Sequence, residues 1–295
     1  MNQAPTLKWA GSKWRIAEWL VAHFPPHETY LEPFFGGGAA FFSKDPSPTE
    51  LINDLDQNVV NLFTVIRRYP DELAALMTLT PWAQDEYASS VQGCKAPFEF
   101  SSATKEEQLE RSRQFLTASW QMFGRKNATS RNGWRHRHLT NQSPVLTWNK
   151  LPDRIVNAAE RLMDAQISRE SALTLIRHCN AKEVLIYADP PYLADTRSHG
   201  NLYEHEYKTP VQHLELLEAL ESHIGSVVLS GYESSLYAAH LRHWKKFQVS
   251  ARGGIFVCIV PRAGVLESKQ YGLIQWRINR LAMSKKTCSR SVNHD

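Results

Sequence analysis

The sequence predicts a doubly wound α/β domain on a mostly parallel sheet, with a smaller region inserted between its two halves. Three observations carry that reading. Short apolar runs such as "ETYLE", "TELIN", "KEVLIYA" and "SVVLSG" alternate with stretches of helical period such as "NVVNLFTVIRR" and "VQHLELLEAL". A glycine-rich turn follows the first run, at the sheet edge where open α/β folds bind ligands. From about residue 80 to 150 the alternation stops and the chain becomes polar and irregular.

The elements follow in order. "SKWRIAEWLVAHF" reads as an amphipathic helix, with Ser12 as N-cap and Ile16, Trp19, Leu20 and Phe24 on the apolar face. "ETYLEPFFGGGAAFF" reads as strand, glycine turn and helix start, and "TELINDLDQNVVNLFTVIRR" as strand, acidic turn and a helix opening near Asp56. In the irregular stretch a helix is expected around residues 105–122, followed by "FGRKNATSRNGWRHRHLTNQSP", which has no clear period. A helix should begin near Pro152, since proline suits a first helical turn. "KEVLIYADPPY" is a buried strand, and "TPVQHLELLEALESHI" a helix with Thr209 as cap and Pro210 at its first position. "SVVLSGY" gives another strand, then a short helix through Leu236 and the strand "FQVSA". The expected organisation is a main domain from 1–80 and 150–260, an insert at 81–149 and a basic tail at 261–295.

Composition limits the function classes. With 295 residues, 42% of them hydrophobic, the chain can bury a sizeable core. No stretch approaches the roughly 20 apolar residues of a membrane span. "MNQAPTLKWAGSK" has no apolar core of a signal peptide, and Cys94, Cys179, Cys258 and Cys288 form no CxxC pair. A cytoplasmic protein without structural disulfides is expected. The net charge of +4 is compatible with a nucleic-acid partner without demanding one. No repeat or low-complexity tract occurs.

Three strand ends carry chemistry. In "LEPFFGGGAAFF" the strand ends in Glu32 and runs into Phe34, Phe35 and Gly36 to Gly38, so the backbone can turn tightly and approach a ligand. No Gly-Lys-Ser/Thr follows, and Phe41 stands where a dinucleotide fingerprint needs its third glycine. Alone, this remains compatible with an ordinary βα turn. In "INDLD", Asp54 can accept hydrogen bonds from ribose hydroxyls, while Asp56 suits a helix cap; both would pass for solvated turn acids without the neighbouring glycines. In "IYADPPY", Pro190 and Pro191 make a stiff turn and force Asp189 into extended backbone. Asp189 and the Pro190 carbonyl can accept the two N–H bonds of a planar amine such as that of adenine. Tyr192 can stack on the base, worth about 1–3 kcal/mol. The alternative is a mere strand-ending turn.

Taken together, "LKWAGSK" at 7–13, "EPFFGGG" at 32–38, "NDLD" at 53–56 and "DPPY" at 189–192 resemble the Dam-like (D12 class) N6-adenine DNA methyltransferases, in motif order as well as content. The resemblance covers about residues 5–70 and 183–240. It implies an S-adenosylmethionine-dependent methyltransferase fold and methyl transfer to adenine N6 in DNA, with the base flipped out of the duplex. It also implies cofactor contacts from Trp9, Lys13, Glu32, Phe34, Gly36, Gly38, Asp54 and Asp189, and catalysis by Asp189, Pro190, Pro191 and Tyr192. Lys13 would pair with the cofactor carboxylate and Trp9 cover its methionine end. Two departures stand out. The first motif reads Gly-Ser-Lys where Gly-Gly-Lys is commoner, and the chain after "SARGG" reads "IFVCIVPRAG" with a polar tail where the family has a Glu-bearing strand.

Between Arg111 and His138 lie Arg111, Arg113, Arg125, Lys126, Arg131, Arg135 and Arg137, interleaved with Trp120, Phe123 and Trp134. An isolated basic run is usually a solvated face. Beside an adenine-methylating motif, the cations of the glycine-punctuated loop, Arg125, Lys126, Arg131, Arg135 and Arg137, are expected to contact phosphates and guanine edges, with Asn127 or Asn132 reading adenine. Alternating Arg and His at 135–138 make a poor metal site, and no metal is invoked. The reading is of a monomer acting on double-stranded DNA. Its rivals are methylation of another planar amine (cytosine N4, glutamine or RNA adenine) and a DNA-binding module without turnover.

Overall fold

The computed structural model describes residues 4–123, 133–135, 144–192, 209–232, 234–251 and 254–260, with only the backbone over 250–260. Seven strands form one sheet: β1 (Thr29–Glu32), β2 (Thr49–Asn53), β3 (Ala165–Ser168), β4 (Val184–Ala188), β5 (Ser226–Gly231), β6 (Lys245–Ala251) and β7 (Gly254–Val260). Their order is β3-β2-β1-β4-β5-β7-β6. β1 to β5 are mutually parallel, and β7 runs antiparallel between β5 and β6. The chain therefore winds outward from β1 to β3, then returns to place β4 beside β1. At that reversal the connections leave in opposite directions and open a crevice at the C-terminal strand ends.

The period of two along the central strands explains the two-faced packing. Tyr30, Leu185, Tyr187 and Val228 point into a core shared with α2 (Gln57–Arg68), α3 (Pro70–Leu79), α5 (Lys105–Gln121) and α7 (Leu151–Leu162). Leu31, Ile186, Val227 and Leu229 point to the other face, against α8 (Ala172–His178), α9 (Pro210–Glu221) and α10 (Ser235–His240). Local signals set the helix ends. The Asp56 carboxylate accepts the Asn58 N–H at 2.8 Å and opens α2. Thr104 with Glu107, and Thr209 with Gln212, close reciprocal caps on α5 and α9, and Pro210 stands at the first turn of α9.

Several elements depart from the sequence reading. The first helix, α1, spans only Ala17–Val21, and Ser12 does not cap it. Gly11 has φ +76°, and the Lys13 Nζ donates back to the Gly11 carbonyl at 2.7 Å, so residues 11–13 stay outside the helix. α4 (Gln84–Lys95) lies in the stretch read as irregular. Its buried positions, Tyr87, Ser90 and Cys94, have helical spacing, but the serine hides the apolar stripe. Gly93 is packed so closely against α5 that a Cβ there would lie 2.2 Å from the Gln114 amide oxygen. β3 and α8 also had no clear signal, and "GIFVCIV" forms β7 despite its departure from the family pattern.

The basic run divides. Arg111 is buried and donates to the Asn58 side chain at 2.7 Å, the Cys94 carbonyl at 2.7 Å and the Gly93 carbonyl. Arg113 pairs with Glu86 and Glu110. These two tie α5 to α2 and α4. Trp120 lies in the core, its indole N–H donating to the Thr6 carbonyl at 2.8 Å. Arg125, Lys126, Arg131 and Arg137 lie outside the described residues, as do Asn127 and Asn132. Arg135 is half-buried, its N–H donating to the Gln121 carbonyl at 2.7 Å.

Candidate active site

The C-terminal ends of β1, β2 and β4 surround a cleft of about 800 Å³, open solvent included. Trp9, Lys13, Glu32, Phe34, Gly36, Gly38, Asp54, Asp189 and Pro191 all line it. Pro190 is buried behind the turn, and Tyr192 stands beside Asp189.

The glycine turn is built for close approach. Gly36 has φ +49° and Gly38 φ +63°, a region where a Cβ is strained. A Cβ on Gly36 would also fall 2.5 Å from the Trp9 indole nitrogen, and one on Gly38 2.5 Å from the Phe35 ring. The Asp54 carboxylate accepts the N–H of Gly36 at 2.8 Å and of Asp56 at 2.9 Å. Burial, reinforced by the Asp56 charge, pushes its pKa up to about 7. Asn53 was not singled out by the sequence, yet it joins three strand ends. Its amide donates to the Pro33 and Glu170 carbonyls, both at 3.0 Å, and accepts from Ser168 at 2.9 Å and the Glu170 N–H at 2.8 Å. A bare turn backed by a saturated amide is a cradle into which a nucleoside can be pressed.

Asp189 receives donors on both oxygens. Lys13 pairs with Oδ2, while the Tyr192 hydroxyl at 2.9 Å and the Ser230 hydroxyl at 2.7 Å donate to Oδ1. The ion pair is sequestered, with side-chain exposures of 6% for Lys13 and 19% for Asp189. Burial draws the Lys13 pKa down, and the Asp189 charge opposes that shift. Ser230, fully buried at the end of β5, also lies 3.1 Å from the Tyr187 hydroxyl. Sequence reading missed both residues, although "SVVLSG" does place a serine at the strand end. Tyr192 packs edge-on against Tyr232, ring centroids 4.8 Å apart, with the Lys13 Nζ 5.1 Å from its own ring centroid.

Glu32 lies beneath these groups at 2% exposure and accepts the Tyr30 hydroxyl at 2.7 Å. Burial raises its pKa to about 8; the Asp189 charge adds to the rise, while the Tyr30 bond opposes it. The carboxyl is therefore largely protonated at neutral pH. A glycine cradle, a ribose-height carboxyl and a cationic side chain fit a nucleoside with an amino-acid tail, the shape of S-adenosylmethionine.

Sheet order and cleft together define an S-adenosylmethionine-dependent methyltransferase. Residues 9–250 match the D12 class N6 adenine-specific DNA methyltransferases, and the chain belongs to that family. It transfers a methyl group from S-adenosylmethionine to the N6 amine of adenine in DNA. It is 24% identical to a DNA adenine methylase of Serratia marcescens, over 88% of this chain and 95% of that protein. A type II methyltransferase of Lactococcus lactis subsp. cremoris, M1.LlaDCHI, is 24% identical over 80% of this chain and 84% of its own length. The DNA N-6-adenine-methyltransferase of Escherichia phage P1 is 24% identical over 68% of this chain and 26% of that protein. Among the described residues, no helix is long and apolar enough to cross a membrane.

Proposed function

We propose that the protein acts as a cytoplasmic monomer on double-stranded DNA and flips the target adenine into the space beside Asp189 and Tyr192. The single observation that carries this reading is the position of Asp189. Its carboxylate stands at the sheet's reversal point, between the glycine cradle and the end of β5, with its oxygens held by three donors. A carboxylate so placed can accept an amine N–H while the cradle fixes the donor on the other side. An adenine stacked in the duplex cannot reach it, so extrusion is needed.

The cofactor supplies an electrophilic methyl group to this site. Trp9, Glu32, Phe34, Gly36, Gly38 and Asp54 are assigned to binding and orienting it, and Lys13 to its carboxylate. Lys13 must then exchange part of its bond to Asp189 for that carboxylate, which frees Oδ2 for the adenine amine. Asp189 and the Pro190 carbonyl would accept hydrogen bonds from the two amine N–H groups and leave electron density on nitrogen, which loses one proton once the methyl is bound, while Pro191 keeps the turn rigid. Tyr192 would stack on the base once its hydroxyl leaves Oδ1. The principal catalytic effect is positioning. The segment 81–149 is assigned to target recognition, through Arg125, Lys126, Arg131, Arg135 and Arg137, and 1–80 with 150–260 to catalysis.

The test has two stages. Methylation-sensitive sequencing of DNA exposed to the protein identifies the modified adenine and its context. Placing 2-aminopurine at that position should then give a protein-dependent rise in fluorescence as the base unstacks. No rise with a bound duplex would refute flipping.

A further inference from the structure

The second residue of the Gly-Ser-Lys turn carries a polar atom without a structural use. Ser12 does not cap a helix, and its side-chain oxygen is buried without a hydrogen-bond partner among the described residues. Ser12 is also one of the residues that line the cleft, and its oxygen lies 3.6 Å from the point a Cβ on Gly37 would occupy. The glycine turn is thus contacted from two sides. The Gly36 N–H bonds to Asp54 at the end of β2, while Gly37 faces Ser12 and the Trp9 Cβ. A hydroxyl removed from water with nothing to bond carries a desolvation penalty, which a ligand acceptor in the cleft relieves once the side chain turns about its Cα–Cβ bond to meet it.

We propose that the Ser12 hydroxyl donates a hydrogen bond to the amino-acid end of the bound cofactor, with the carboxylate as acceptor. The inference rests on the cofactor pocket assigned above and adds a contact specific to this chain, since a glycine at this position has no side chain to offer. The direction follows from placement. Ser12 adjoins Lys13, which reaches the Asp189 end of the cleft, and it meets the turn at Gly37, whereas Asp54, the group suited to the ribose, holds the N–H of Gly36. A hydroxyl and an ammonium on consecutive residues form a donor pair for an anion, and a bond to a charged acceptor is stronger than a neutral one.

Calorimetry on the full chain with two ligands tests this. S-adenosylhomocysteine carries the amino-acid end, and 5′-methylthioadenosine lacks it. Ser12→Ala should weaken S-adenosylhomocysteine about tenfold and leave methylthioadenosine unchanged. The ligand-free variant should melt no lower than the unaltered protein, because an unpartnered hydroxyl is being removed. Unchanged binding of both ligands would overturn the proposal, as would equal weakening of both, which would place the effect at the adenosine end or in pocket shape. Failure of the unaltered protein to bind either ligand would overturn the pocket assignment and the Ser12 contact with it.

Discussion

Glu32→Gln should change how stability depends on pH. The carboxyl has an ordinary pKa near 4.5 in the unfolded chain and about 8 in the folded one, chiefly because it is buried. The native state therefore holds a proton that the unfolded chain releases, and stability falls as pH rises from 4.5 towards 8. From that shift, the loss between about pH 6 and about pH 7.5 is roughly 2 kcal/mol. For a chain of this size that is about 3 °C in Tm. Glutamine keeps the volume and an oxygen to accept the Tyr30 hydroxyl, but it cannot ionise. Thermal melts of ligand-free protein at the two pH values should thus show a smaller drop for Glu32→Gln. The slope that remains includes Asp54, whose raised pKa of about 7 acts in the same direction. Parallel pH dependences in the two proteins would refute the claim that Glu32 is held protonated by the fold.

Asp189→Ala should abolish turnover, and it should also destabilise the protein. It leaves the buried Lys13 without its carboxylate, a loss of about 3 kcal/mol that a denaturant titration would detect; unaltered stability would contradict the ion pair. Tyr192→Ala should lower kcat/KM by the stacking value of about 1–3 kcal/mol. Tyr192→Phe should be much milder, since stacking needs the ring and the hydroxyl has to leave Asp189 Oδ1 when the base enters; equal damage from both would exclude stacking. Gly36→Ala should weaken S-adenosylhomocysteine at least about tenfold in calorimetry, because the left-handed backbone alone costs about 1–2 kcal/mol with a side chain and the methyl would strike Trp9. Arg135→Ala should weaken DNA binding and reduce its salt slope by about one if the side chain meets a phosphate; unchanged affinity and slope would remove it from the interface.

Features legible in the sequence are those whose physics is local. Proline at the head of α9, Asp56 before α2 and the Thr-x-x-Gln box act within one helical turn. Gly36 and Gly38 mark backbone that only glycine adopts easily, and "ADPPY" marks a stiff turn after a buried strand. The alternation of apolar runs and helical stretches sufficed for the fold class, and motif order for the family and the cofactor.

Tertiary structure alone decided what these features meet. Lys13 and Asp189 are 176 positions apart and Ser230 and Asp189 41 apart, so no spacing rule joins them. The same long-range demand on Lys13 helps keep residues 11–13 out of the first helix, against the local period. Arg111 and Arg113 show the converse. Charge in a sequence usually marks an exposed face, yet these two are used up between helices by partners as far away as Asn58 and Glu86. β7 lies between β5 and β6 because inter-strand pairing, and not chain order, sets the sheet. Sequence determines which groups are present and how the backbone turns locally; which oxygen faces which nitrogen follows only when distant segments share one core.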